Sequence, residues 1–118
     1  MSVDDRYEIL KIQTQKADIN AKDKYGVTAL IDASFKGQKE IVEILIVEGA
    51  DLEAQDNKGD TALMNAAQWG HTENLDCLIA EGADIDMKPN SGETALKLAE
   101  LSNHKDIIEL LKNHGAVE

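Results

Sequence analysis

Residues 56–88 read DNKGDTALMNAAQWGHTENLDCLIAEGADIDMK, and one structural unit is legible in them. Asp56 opens a turn, and Gly59 supplies the permissive backbone that the turn needs. Thr61 then stands where a helix would begin, with a hydroxyl suited to cap the first free amides. Leu63 and Ala66 follow at helical spacing, and the alanine is small enough to let helices approach closely. Gly70 breaks this first helix. A second follows with Cys77 and Leu78 on its apolar side, and Gly82 ends it as a left-handed cap.

The same residues recur 33 positions away on either side. Gly26, Gly59 and Gly92 form one series. Thr28, Thr61 and Thr94 form another, as do Ala29, Ala62 and Ala95, and Leu30, Leu63 and Leu96. Ala33, Ala66 and Ala99 continue the register, as do Gly37 and Gly70, then Leu45, Leu78 and Leu111, then Gly49, Gly82 and Gly115. A period of this length marks a repeat architecture. In the copy before residue 56, the first helix is predicted from Thr28 to about Lys36. The second carries Ile41, Val42, Ile44 and Leu45 on its apolar side. Ala50-Asp51-Leu52-Glu53 is expected to run extended into the next turn. Upstream, Ala17-Asp18-Ile19-Asn20 aligns with the segments beginning at Ala50 and Ala83. Residues 4–16 are therefore expected to form the second helix of a truncated unit, with Lys16 in place of the helix-ending glycine.

These units resemble the ankyrin repeat, whose pattern is a turn with Asp and Gly, then Thr-Pro-Leu-His, Ala-Ala, Gly-His, an apolar helix and Gly-Ala-Asp. The resemblance runs from Asp23 to the C-terminus. It departs from the family at the proline, which is Ala29, Ala62 and Ala95 here, and at the histidine, which is Ile31, Met64 and Lys97. The family's Thr–His hydrogen bond therefore cannot form. The resemblance implies an all-α solenoid of stacked antiparallel helix pairs with projecting β-turns, no extended sheet and no helix beyond ~15 residues. The expected division is an N-terminal capping helix in residues 1–22, repeats at 23–55 and 56–88, and a C-terminal capping repeat at 89–118. Polar residues at apolar repeat positions suit exposed ends: Lys97, Glu100 and Lys112 at one end and Lys11 at the other. The array is thus expected to begin and end within this chain.

Composition narrows the function. A single proline and 42% apolar residues in 118 fit one folded domain. One cysteine allows no internal disulfide, which fits a reducing, cytoplasmic setting. No apolar run approaches the ~20 residues that cross a membrane, and the first residues do not read as a secretory signal. A net charge of −11 opposes nucleic acid and anionic membrane as partners.

Candidates for chemistry are few. Cys77 aligns with Ile44 and Leu110, which predicts a buried, unreactive thiol. His71 and His104, also 33 apart, read as structural residues at helix starts. His114 suits the last turn of the last helix. No paired His or Cys motif, phosphate loop or nucleophile–base set is present, so neither catalysis nor a cofactor or metal is expected. The adjacent Asp4 and Asp5 read as solvated.

The aromatic residues point elsewhere. There are four, Tyr7, Tyr25, Phe35 and Trp69, and the last three fall at positions that do not repeat. Tyr25 aligns with Lys58 and Ser91, Phe35 with Gln68 and Leu101, and Trp69 with Lys36 and Ser102. In the ankyrin fold these are turn-tip and first-helix positions lining the concave face, where members of the family bind partners. Large rings off the core on one face suit an interaction hot spot. The competing reading is that Phe35 and Trp69 cover a gap between neighbouring first helices. The expected partner-binding set is Tyr25, Val27, Phe35, Lys36, Asp60, Gln68, Trp69 and Leu101.

The units 23–55 and 56–88 hold seven acidic residues each, against three and two basic ones. Asp32, Asp60 and Glu93 would rim the aromatic patch and favour a partner with a basic surface. The chain is read as a monomeric, non-enzymatic interaction module, an adaptor or inhibitor. The alternatives are a structural or engineered scaffold without a natural partner, and an antidote to a basic protein.

Overall fold

A computed structural model describes residues 18–116. Six helices occupy them: α1 Ala29–Lys36, α2 Lys39–Val47, α3 Ala62–Gln68, α4 Thr72–Ala80, α5 Ala95–Leu101 and α6 Lys105–Asn113. There is no strand among the described residues. The predicted helix over residues 4–16, with Tyr7, Lys11, Lys16, Asp4 and Asp5, lies outside them.

The threonines start the first helix of each pair as the sequence predicts. Thr28, Thr61 and Thr94 are the N-caps, and each hydroxyl accepts the amide three residues on, at 3.2, 3.3 and 3.3 Å. Asp23 and Asp56 build the preceding turns. Asp23 Oδ1 accepts the amides of Tyr25 and Val27, and Asp56 Oδ1 those of Lys58 and Asp60. Gly49 closes α2 with φ +94°. Its amide reaches the Ile46 carbonyl at 3.1 Å, and Ala50 reaches back to Leu45 at 2.9 Å, the paired bonds of a Schellman cap.

One local expectation fails. The segment after Gly49 turns instead of running extended. Asp51 Oδ1 accepts the Glu53 amide at 2.9 Å. Asp18 does the same for Asn20 and Asp84 for Asp86. A carboxylate that binds the backbone two residues on folds it into an Asx-turn, and the aspartates at 18, 51 and 84, 33 apart, each carry that turn.

The helices form two layers. α1, α3 and α5 make one and α2, α4 and α6 the other, with each pair antiparallel. The first layer is the more intimately packed, because small residues face its joints: Ala33, Ala62, Ala66, Ala67, Ala95 and Ala99 are all at most 2% exposed. Closer spacing on one side bends the stack toward it, so the first-helix layer and its turn tips lie on the concave face. Leu30, Leu45, Leu63, Leu75, Leu78, Leu96 and Leu111 fill the space between layers. Each contributes about 1.5–3 kcal/mol by leaving water. Among the described residues, the buried Ser34 Oγ and Asn74 Nδ2 have no hydrogen-bond partner.

Cys77 is half-buried rather than fully buried, at the edge of the same core. Its column borders the outer surface of the second-helix layer, where Ile44 and Leu110 are likewise only partly covered. Burial, and then the carboxylates of Glu43 and Glu81, push its thiol pKa up, which keeps it a poor nucleophile near neutral pH.

Candidate functional site

A groove of about 800 Å³ runs along the concave face. Its lower wall is the face of the first helices, with Ile31, Asp32 and Phe35 from α1, Asn65 and Gln68 from α3, and Leu98 from α5. Its upper wall is the turn tips, including Tyr25, Lys58, Asn90 and Ser91.

The tips are held in a ladder. Asn57 donates its amide to the Tyr25 carbonyl at 2.9 Å and its side-chain Nδ2 to the Lys24 carbonyl at 3.1 Å. Asn90 repeats both bonds one unit on, to the carbonyls of Lys58 at 2.8 Å and Asn57 at 3.0 Å. The backbone under Tyr25 is therefore fixed while its ring, 62% exposed, stands out beside the Lys24 ammonium.

Phe35 and Trp69 meet across the joint between α1 and α3, with centroids 5.3 Å apart and planes at 72°. This edge-to-face contact suits the ring quadrupoles. Both rings nevertheless stay about half exposed, at 47% and 50%. The contact braces them without removing them from solvent.

Two histidines hold the backbone beneath them. His71 Nε2 lies 2.9 Å from the Phe35 carbonyl, and His104 Nε2 lies 3.0 Å from that of Gln68. A carbonyl only accepts, so each Nε2 carries the proton. Both residues start second helices, at α4 and α6, which matches the structural role read from their spacing. The helix carrying each groove side chain is thereby tied to the next pair.

Of the residues expected to bind a partner, Tyr25, Val27, Phe35, Asp60, Gln68 and Trp69 line this groove. Lys36 and Leu101 are not in its lining. The Lys36 ammonium pairs with Asp32 at 3.1 Å, and Leu101 is exposed at the end of α5. Glu93, expected at the rim, is not in the lining either. Sequence reasoning misses Ile31, Asn65, Leu98 and the tips of residues 56–58 and 89–91. A signal for part of this is present. Asp32, Asn65 and Leu98 form one column 33 apart, and no two of them agree in chemistry. That column lines the groove along its full length, as does the column of Tyr25, Lys58 and Ser91.

A family model described as ankyrin repeats in three copies matches residues 2–89 and, in a second placement, residues 30–117. The chain belongs to the ankyrin repeat family. A comparison with curated proteins found no match. Ankyrin repeats are generally protein–protein interaction modules and typically non-enzymatic. Among the described residues, no His, Cys, Asp or Glu cluster could hold a metal ion, and no helix is long and apolar enough to cross a membrane. The groove's electrostatics are acidic: Asp32, Asp56 and Asp60 line it against Lys58. Burial, followed by repulsion from Asp56, raises the pKa of Asp60, with Lys58 opposing.

Proposed function

We propose that the concave groove of the ankyrin repeats binds a partner protein, with Trp69 and Phe35 as its apolar anchors. The observation that carries this is the half-exposed Phe35–Trp69 pair. Rings that served only to close a joint would gain by full burial. These two keep about half their surface in water inside a groove, where a partner can cover it. Tyr25 adds contact area from the turn tip, and the acidic rim steers a partner with a basic surface toward the anchors. An inhibitor of a basic protein fits the same charge balance, and the module acts as adaptor or inhibitor by occupying the partner's surface.

The test is capture of partners from the native source, identified by mass spectrometry, followed by affinity measurement with wild-type chain and Trp69→Ala. Truncating a central aromatic anchor costs ~2 kcal/mol or more. Binding should weaken by at least ~30-fold, while far-UV circular dichroism stays that of a folded chain and stability falls only by what the edge contact with Phe35 contributes, about 1 kcal/mol. A Trp69→Ala chain that unfolds, with no partner-specific loss, would make the ring part of the core and would sink the reading.

A further inference from the structure

The three carboxylates of the groove are not equivalent. Asp32 is paired with Lys36 at 3.1 Å. Asp56 commits its Oδ1 to two backbone amides, at 2.9 and 3.0 Å. Asp60 is half-buried in the same groove. Among the described residues its carboxylate accepts no hydrogen bond and forms no ion pair; its charged neighbours are Asp56 and Lys58. A partly desolvated carboxylate without a donor is unfavourable, and here it stands in a cleft open to a visitor.

Asp60 and the aromatic pair sit at opposite ends of α3. Asp60 precedes the Thr61 cap, and Trp69 follows the last helical residue, Gln68. The seven residues of α3 rise about 10 Å, which places the two groups roughly 10–15 Å apart. The groove therefore offers an apolar contact at one end and an unpaired anion at the other.

We propose that the groove receives a segment of the partner that carries a cationic side chain and a large apolar one, held that distance apart, with the cation on Asp60 and the apolar group against Phe35 and Trp69. This rests on the protein-binding reading of the concave face and adds the chemistry of what binds there. Arginine suits Asp60 better than lysine, because its planar fork satisfies both carboxylate oxygens at once. In a linear peptide the spacing corresponds to about three or four residues of extended chain, or about seven to ten of helix.

The experiment is selection of a random linear peptide library on the full chain. The selected peptides are then synthesised and their affinities measured for wild-type protein, Asp60→Asn and Trp69→Ala. Selected sequences should pair Arg or Lys with a large apolar residue at that spacing. Replacing the peptide's cation with Gln should cost at least ~10-fold against wild type and little against Asp60→Asn. Replacing its apolar residue with Ala should cost as much against wild type and little against Trp69→Ala. Peptides that Trp69→Ala weakens but that carry no cation overturn this inference and leave the protein-binding reading standing. So does a cation whose replacement costs the same in wild type and Asp60→Asn. A library that yields no peptide sensitive to Trp69→Ala overturns both.

Discussion

At Asp60 a carboxylate stands partly out of water beside a second one, and burial raises its pKa above its ordinary value. The folded chain therefore takes up this proton at higher pH than the unfolded chain. Between those two pKa values a rise in pH destabilises the fold, and the penalty is complete above the folded-state value. Asp60→Asn removes it. The expected result is an unchanged Tm at pH below both values and a small rise at neutral pH. The gain stays under ~0.5 kcal/mol because the half-buried carboxylate keeps part of its contact with water, which screens it. Thermal unfolding across pH checks this, and a lower neutral-pH Tm in the variant would make Asp60 a stabilising residue. Its place in the groove is legible in the sequence from the mixed column of Val27, Asp60 and Glu93. Its lack of a partner is not, since that depends on where Lys36 and Lys58 reach.

Helix ends carry the clearest sequence information, and the glycines there separate into two kinds. Gly49 has φ +94°, and a Cβ added there would meet nothing within 4 Å, so Gly49→Ala incurs backbone strain alone, about 1 kcal/mol. Gly37 has φ +72°, and a Cβ there would come within 2.6 Å of His71 Nδ1. The ring cannot give way without weakening its bond to the Phe35 carbonyl, worth about another 1 kcal/mol. Gly37→Ala should therefore lower the midpoint of chemical unfolding clearly more than Gly49→Ala, and equal losses would show the ring moves aside freely. Both glycines announce a helix end in the sequence. The added contact at Gly37 comes from the next helix pair and is invisible to a reading along the chain. The turn at Asp51 escapes the sequence for a different reason. The Asp column at 18, 51 and 84 is visible there, but these aspartates lack the glycine three residues on that marks a turn after Asp23 and Asp56.

Across the whole molecule, stability is shared between units and the joints that link them. The bonds from His71 to Phe35 and from His104 to Gln68 each span 36 residues and cross one joint. His71→Ala should lower stability by about 1 kcal/mol. It should also broaden the urea transition, because weaker coupling lets the pairs unfold less cooperatively. Far-UV circular dichroism in urea reads both, and an unchanged midpoint would mean the bond adds nothing to the joint. The same joint carries the Phe35–Trp69 contact, so the element that stabilises the stack also sets the geometry of the binding face.

The 33-residue period located the capping threonines, the helix-ending glycines and the buried leucines, and the ankyrin pattern those residues resemble implied the fold class. Each of these answers a local requirement that recurs wherever the unit recurs: a free amide to cap, a left-handed residue, an apolar face to cover. Which of the non-repeating side chains line the groove was decided by the tertiary structure. Positions in one column are equivalent along the chain but not in space, because a groove needs a wall on both sides. Phe35 and Gln68 have a neighbouring first helix beyond them, and they line it. Leu101 has the same place in its unit, but no further first helix lies beside α5 among the described residues, and it is left outside.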